Sequence, residues 1–223
     1  KDLKAETTNS FNTSFDYKLT GSSFSLKIEP SAFYNNGKDA ITLIVTDPES
    51  NSATNVNLGG RRTLGGEIDT RFTHLFGFSL GAGFSRTGET FDEEGNGEYL
   101  PMLYYNNYTA SAQYRFKRFR AVLLANLKYY GETPSLAIIP EENGGGYYRV
   151  FTDPYGDLEL TFTKNLWKNR LTLVVGGKNL FDNYGGRTYG YEDFGESDYV
   201  YERKIPLNYG RTWFVKLNLK LMK

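Results

Sequence analysis

The chain has 223 residues, enough for one β-rich domain, with no cysteine and 26 Lys+Arg balanced by 26 Asp+Glu. Disulfides, thiolate catalysis and thiolate metal sites are therefore excluded, and no bulk field recruits nucleic acid or anionic lipid. Apolar residues make up 39% and aromatics 16%, led by 18 Tyr and 16 Phe; mean hydropathy is −0.52, and no apolar run reaches the roughly 18–20 residues that a spanning helix needs, which leaves a spanning strand open.

In chain order, nine stretches alternate apolar with polar residues. Phe11, Thr13, Phe15, Tyr17 and Leu19 oppose Asn12, Ser14, Asp16 and Lys18. Candidate strands over 24–35 and 63–72 follow. Phe76, Phe78, Leu80, Ala82 and Phe84 then oppose Gly77, Ser79, Gly81, Gly83 and Ser85. Tyr108, Ala110, Ala112, Tyr114 and Phe116 oppose Asn107, Thr109, Ser111, Gln113 and Arg115. Ala121, Leu123, Ala125, Leu127 and Tyr129 oppose Arg120, Asn126 and Lys128, diluted by Val122 and Leu124. After candidates over 155–166 and 170–181 comes the cleanest strand, with Trp213, Val215, Leu217, Leu219 and Leu221 against Thr212, Phe214, Lys216, Asn218 and Lys220. A period of two marks a strand with one greasy face, and about ten residues is what a tilted strand needs to cross hydrocarbon.

The connections alternate in length. Short ones are expected at 20–23, 73–75, 117–118 and 167–169; long ones at 37–61, 87–103, 132–154 and 182–209. A meander that crosses a bilayer repeatedly makes this rhythm, with tight turns on one side and large loops on the other. Loops of 15 or more residues without secondary structure are uncommon unless functional or disordered, so four on one side point to a binding surface. Tyr17, Tyr104, Tyr105, Tyr129, Tyr130, Trp167 and Trp213 fall near predicted strand ends, where aromatic girdles sit. The fold class expected is all-β, an antiparallel transmembrane barrel. A soluble β-sandwich that binds carbohydrate is the competing reading; it would bury the greasy rows.

Enzymatic chemistry has little to stand on. The only histidine, His74, lies in a predicted short turn far from the loops, so neither a Ser–His pair nor a multi-histidine metal site can form there. Asp92, Glu94 and Asn96 space oxygen ligands at alternate positions, a weak calcium candidate, but Leu103 stands where a bidentate Glu belongs and no helices flank it. No cofactor is called for. The last long segment mixes Arg187, Tyr189 and Tyr191 with acids, and Tyr147, Tyr148 and Arg149 lie in the one before it. Rigid aromatics with a few charges suit a large planar or chelate ligand, or a protein lid; packing of the loops on one another is an equal alternative.

Nine strands leave two unpaired edges, which hydrocarbon does not tolerate, and bacterial single-chain barrels close with even numbers. Further strands are expected from a partner chain or from an upstream part of the same polypeptide. The chain opens Lys1-Asp2-Leu3-Lys4 without a secretion signal; either processing removes it or an N-terminal part lies outside this chain, and the strand count favours the second.

Three segments carry a family resemblance. Leu3-Lys4-Ala5-Glu6 resembles the Leu-Lys-Pro-Glu segment that opens a mid-barrel strand in TonB-dependent outer-membrane receptors, with Ala5 in place of proline. Asn179-Leu180-Phe181-Asp182 is similar to the element before that family's last extracellular loop, and Pro206 with Gly210-Arg211 to its approach to the final strand. Asn55 and Gly65-Gly66-Glu67 match a weaker pattern. The ending Leu221-Met222-Lys223 departs from the family's aromatic terminus.

The resemblance implies that residues 1–223 are the C-terminal share of a barrel of about 22 strands with a plugged lumen. The plug and the N-terminal strands would lie outside this chain. It implies active import of a scarce, large nutrient (ferric siderophore, haem or cobalamin) across the bacterial outer membrane. The partners implied are the TonB complex acting through the plug, membrane lipid and a surface lipoprotein, not nucleic acid. Tyr104, Tyr105, Tyr147, Tyr148, Arg149, Arg187, Tyr189 and Tyr191 are then expected on the ligand side. Asp16, Lys18, Glu67, Asp69, Arg71, Gln113, Arg115, Lys128, Lys178, Lys216 and Lys220 are expected to face the lumen and plug. A passive porin or surface-binding barrel is the alternative with an open lumen.

Overall fold

A computed structural model describes residues 3–47, 52–92, 96–138, 147–193, 198–206 and 209–220, with backbone only at 43–47, 52–53, 136–138, 147–149, 190–193 and 198–206. Sixteen strands follow in order: β1 (Thr7–Ser14), β2 (Tyr17–Thr20), β3 (Phe24–Lys38), β4 (Ile41–Asp47), β5 (Ser52–Asn57), β6 (Gly60–His74), β7 (Phe78–Asp92), β8 (Leu103–Phe116), β9 (Ala121–Tyr130), β10 (Thr133–Ile138), β11 (Tyr147–Thr152), β12 (Tyr155–Leu166), β13 (Leu171–Lys178), β14 (Gly185–Asp193), β15 (Asp198–Pro206) and β16 (Thr212–Leu219).

They make two sheets. The larger runs β1-β3-β6-β7-β8-β9-β12-β13-β16, with β2 also on β3. Each stave pairs with its chain neighbour, so this is the expected antiparallel meander. β1 and β2 are one stave: Thr7–Ser14 and Tyr17–Thr20 hold the same register against β3, Ser14 facing Ser31 and Tyr17 facing Ile28. Counted this way there are nine staves. The sheet does not close on itself; β1 with β2, and β16, are paired on one side only among the described residues.

The apolar rows lie on the surface. Phe11 and Trp213 are each 68% exposed and Val215 69%. Ile68, Phe84, Tyr108 and Tyr129 form one exposed row across β6, β7, β8 and β9. Buried apolar residues, among those described, are only Ala40, Leu58, Ala121 and Val150. A soluble sandwich buries its greasy rows face to face; these face outward, so that reading falls.

Two expectations need correction. Phe76 is not in a strand: β7 starts at Phe78, and Phe76 sits in the tight turn with its ring against His74 at 4.6 Å. The long connections are also not all structureless. Three of the four carry a hairpin, β4–β5, β10–β11 and β14–β15, and these join as a second sheet in the order β15-β14-β11-β10-β4-β5. β11 meets β14 through Phe151–Tyr189 and Thr152–Thr188, and β10 meets β4 in parallel at Ala137–Val45. The first-sheet strands also run further than expected, β3 to Lys38 and β7 to Asp92, which shortens the loops.

Candidate functional site

The inward face is built by register. Residues opposite one another in an antiparallel pair share a face, so one row reads Glu29, Asp69, Gly83, Thr109, Lys128 and Asp157. The next reads Lys27, Arg71, Gly81, Ser111, Asn126 and Glu159. Lys18 faces Lys27 on the same side, Gln113 faces Leu124, and Arg115 faces Val122. Glu67 lies opposite Ser31 and Ser85. Lys178 faces Thr212, and Lys216, opposite Val174, follows at even spacing; Lys220 ends that alternation beside Arg170. The polar residues singled out on the strands therefore occupy one face, which encloses a concavity of about 780 Å³ lined by Asp16, Glu29, Asp69, Arg71, Lys128, Asp157 and Glu159 among others.

Small residues in β7 shape this face. A Cβ at Gly81 would meet Ser111 Oγ at 2.5 Å, and one at Gly83 would collide with the Asp69 carboxylate and the Thr109 hydroxyl. Neighbouring polar groups thus lean across the floor that the two glycines leave open. Lys27 contacts Glu29 at 2.5 Å and Asp16 at 3.8 Å, and Lys178 contacts Glu159 at 3.8 Å. Glu67, Asp69, Arg71 and Lys128 take part in none of the ion pairs found among the described residues.

The loop residues are only partly brought together. Tyr104 and Tyr105 are adjacent on β8 and point to opposite faces. Tyr104 lies outward under the Arg86 guanidinium, 4.8 Å from its ring centre; Tyr105 lies inward, opposite Thr87. The pair cannot hold one ligand side by side. Arg187 is engaged by Asp153 at 2.9 Å and sits 5.9 Å from the Tyr189 ring. That ring stands 6.2 Å from Phe151, so these two residues knit β14 to β11. Tyr147, Tyr148 and Arg149 pair through their backbones with Ile138, Ala137 and Leu136, and Tyr191 with Val200; their side chains lie outside the described residues. Burial first, and then a hydrogen bond to Glu132, holds the Tyr189 hydroxyl above the ordinary tyrosine range.

Of the calcium candidates, Asp92 Oδ2 accepts the Gly97 N–H at 2.9 Å and Asn96 Oδ1 the Glu98 N–H at 2.8 Å, both as loop caps; Glu94 lies outside the described residues. His74 accepts the Phe76 N–H on Nδ1 at 3.1 Å and stacks on Phe78 at 5.4 Å, a turn role.

Residues that sequence composition did not single out anchor the loops. Asn179, only 2% exposed, donates from Nδ2 to the carbonyls of Asn183 and Tyr209, at 3.2 and 3.0 Å. Its Oδ1 accepts the Asn183 N–H at 3.0 Å, and its own N–H goes to Asp157 Oδ1 at 3.1 Å. Asp182 Oδ1 accepts the Arg211 N–H at 2.8 Å. One asparagine thus ties the two ends of the last loop together at the rim. Asn57 does the same at the first loop, donating to Asp39 O at 2.7 Å and Lys4 O at 3.0 Å. Its place at the head of the Asn179-Leu180-Phe181-Asp182 motif was the available signal; its left-handed backbone, φ 50°, is one asparagine tolerates.

The family described as TonB dependent receptor-like, beta-barrel matches residues 1–180. No curated protein matches the sequence. Among solved structures, the chain resembles the FrpB iron transporter from Neisseria meningitidis in its F3-3 variant, with TM-score 0.61 and 18% identity over 96% of this chain and 30% of that one. The F5-1 variant in its apoprotein form gives TM-score 0.57 and 17% identity over 97% and 32%. At these identities the likeness speaks for fold, and the chain spans about a third of the length of these proteins.

Proposed function

The chain belongs to the TonB-dependent receptor-like β-barrel family, and from that premise we propose that its nine staves are the C-terminal share of a larger outer-membrane barrel of about 22 strands. That barrel imports a scarce, large nutrient with energy delivered through TonB. The observation that carries this is the arrangement of the sheet: greasy rows outward, a polar concavity inward, and two edges paired on one side only among the described residues. Hydrocarbon does not tolerate open backbone edges, so further staves complete the ring. The family is one of receptors rather than enzymes.

Within this reading the inward polar residues Asp16, Lys18, Glu67, Asp69, Arg71, Gln113, Arg115, Lys128, Lys178, Lys216 and Lys220 pack against a plug. Glu67, Asp69, Arg71 and Lys128 support it most, being charged groups on a crowded polar face without an ion-pair partner among the described residues. On the opposite rim the second sheet, with Tyr105, Tyr147, Tyr148, Arg149, Arg187, Tyr189 and Tyr191, forms the capture surface, open to a surface lipoprotein lid. Iron carried as a ferric chelate or as haem is favoured over cobalamin, because the resembling structures are described as iron transporters.

The test is growth on ferric siderophores, haem or cobalamin as sole source, with the receptor present and the TonB complex intact or deleted. Growth on one of them that needs both supports the reading; uptake that persists without TonB makes the barrel a passive pore. Arg115→Leu is expected to loosen plug packing, read as faster proteolysis of the plug, more than it weakens ligand capture.

A further inference from the structure

The zero net charge of the chain hides a separation of charge along the barrel axis. No Asp or Glu occurs between Glu98 and Glu132 or between Glu159 and Asp182. The two short turns inside those stretches, β8–β9 and β12–β13, carry Lys117, Arg118, Arg120, Lys168 and Arg170. They are neighbours, because β9 pairs with β12 and the Asn165 N–H donates to Arg120 O at 3.0 Å. None of these cations is in an ion pair among the described residues. At the long-loop pole the described acids Glu89, Asp92, Glu98, Glu132, Asp153 and Asp182 stand among cations, Arg61 paired with Glu89 and Arg187 with Asp153.

Three further observations give this basic rim a direction. Lys164 stands on the outward face, one pair beyond Phe162 in the greasy row, opposite Ala121. Its ammonium reaches the Phe119 carbonyl and lies 5.8 Å from the Phe119 ring. Phe119 and Trp167 are 61% and 71% exposed, so the apolar surface continues past the strand ends beside the cations. Arg120 and Lys168 hold left-handed backbones, φ 48° and 54°, a conformation that glycine or asparagine adopts with less strain. Other β-turn residues would close these hairpins more easily; cations occupy them.

Resting on the barrel reading, we propose that the β8–β9 and β12–β13 turns form a binding rim for anionic phospholipid headgroups in the leaflet on the short-turn side. Lys117, Arg118, Lys164 and Lys168 meet the phosphate, and Phe119 and Trp167 wedge among the glycerol and upper acyl carbons. Aromatics prefer that depth, and long cationic side chains on the greasy face reach up to it. The other short turns, at Gly21–Ser23 and Leu75–Gly77, carry no charge, so the rim is a local site and not a uniform belt.

The experiment uses the intact receptor that contains this chain, purified in nonionic detergent and offered an equimolar mixture of phosphatidylglycerol and phosphatidylcholine, with retained lipid read by native mass spectrometry. The wild type should retain phosphatidylglycerol preferentially, each cation contributing about fivefold. Lys117→Gln/Arg118→Gln/Lys164→Gln/Lys168→Gln should erase the preference. Arg118→Gln/Lys168→Gln, which spares the Lys164 contact to Phe119, should weaken it, and Lys38→Gln at the other pole should leave it intact. Equal retention of the two lipids by the wild type, or an undiminished preference in both variants, overturns the proposal. Heat-modifiable migration on gels reports the folded barrel independently. A heat-modifiable receptor without lipid preference sinks this inference alone, whereas a receptor that never forms such a barrel sinks both.

Discussion

Phe15 donates its backbone N–H to the Pro30 carbonyl at 3.0 Å, and Pro30 has no N–H with which to return the bond. Register on both sides, Ser14 with Ser31 and Tyr17 with Ile28, makes these two residues a facing pair. The first stave is thus split into β1 and β2 by the residue opposite the split and not by its own sequence. Proline within a sheet is ordinarily confined to edges or bulges, yet β3 is flanked on both sides. Pro30→Val should restore the second bond and stabilise the barrel by about 1 kcal/mol, offset in part by a freer unfolded chain. The check is the urea midpoint in micelles together with hydrogen exchange: residue 30 should gain a protected amide. An unprotected amide at 30 would mean that β1 and β2 are separated for another reason.

The β6–β7 turn depends on one glycine. Gly77 has φ +103°, and its carbonyl accepts the Arg115 N–H at 2.7 Å, tying this turn to β8. A Cβ there would meet the Arg115 carbonyl at 2.7 Å. Gly77→Ala should therefore cost at least about 1–2 kcal/mol, from the left-handed backbone alone, and lower the urea midpoint with the barrel otherwise intact. A variant that unfolds with the wild type would show that the turn does not hold this conformation.

The nine staves were legible because a sheet between hydrocarbon and a polar interior enforces a period of two: a one-residue slip would turn every greasy side chain inward. The second sheet was not legible. Its pairings, Ala137 with Val45 and Phe151 with Tyr189, join segments far apart in sequence, and nothing local marks such partners. The run Ile41-Thr42-Leu43-Ile44-Val45 was a strand signal, β-branched and apolar, hidden by the Gly- and Asn-rich composition around it. That Tyr104 and Tyr105 point to opposite faces was already present in the sequence, since neighbours on a strand face opposite ways. Asn179 stood out only as part of a motif; its role as a tie across the loop mouth did not, because an asparagine there looks like any turn former until its hydrogen bonds are seen.

Arg61 and Glu89 form the shortest ion contact among the described residues at the long-loop rim, Nε to Oε1 2.5 Å, with the Glu89 side chain 9% exposed and Arg61 42%. The asymmetry in burial sets which loss is worse. Arg61→Ala strands a buried carboxylate, which costs up to 3–5 kcal/mol when fully buried; with Arg61 half in solvent, about 1–3 kcal/mol is expected. Glu89→Gln keeps an acceptor for the guanidinium and should cost about 1 kcal/mol or less. Urea denaturation of the two variants should rank them in that order, and the opposite ranking would mean that the carboxylate is solvated.

The junction between β11 and β14 should loosen in alkali. Tyr189 is held above the ordinary tyrosine value, first by burial and then by the Glu132 carboxylate that accepts its hydroxyl proton. In the unfolded chain a tyrosine ionises near 10. Between that value and the higher folded one, the folded sheet keeps a proton that the unfolded chain has released, so stability falls as pH rises through this window. Below it the contribution is complete and independent of pH. Titration at 295 nm should show a late-ionising group of tyrosines, and Tyr189→Phe should remove one tyrosine from that late phase while leaving the earlier ones in place. If the step removed lies at or below 10, Tyr189 does not pack against Phe151 and Glu132 in the folded barrel.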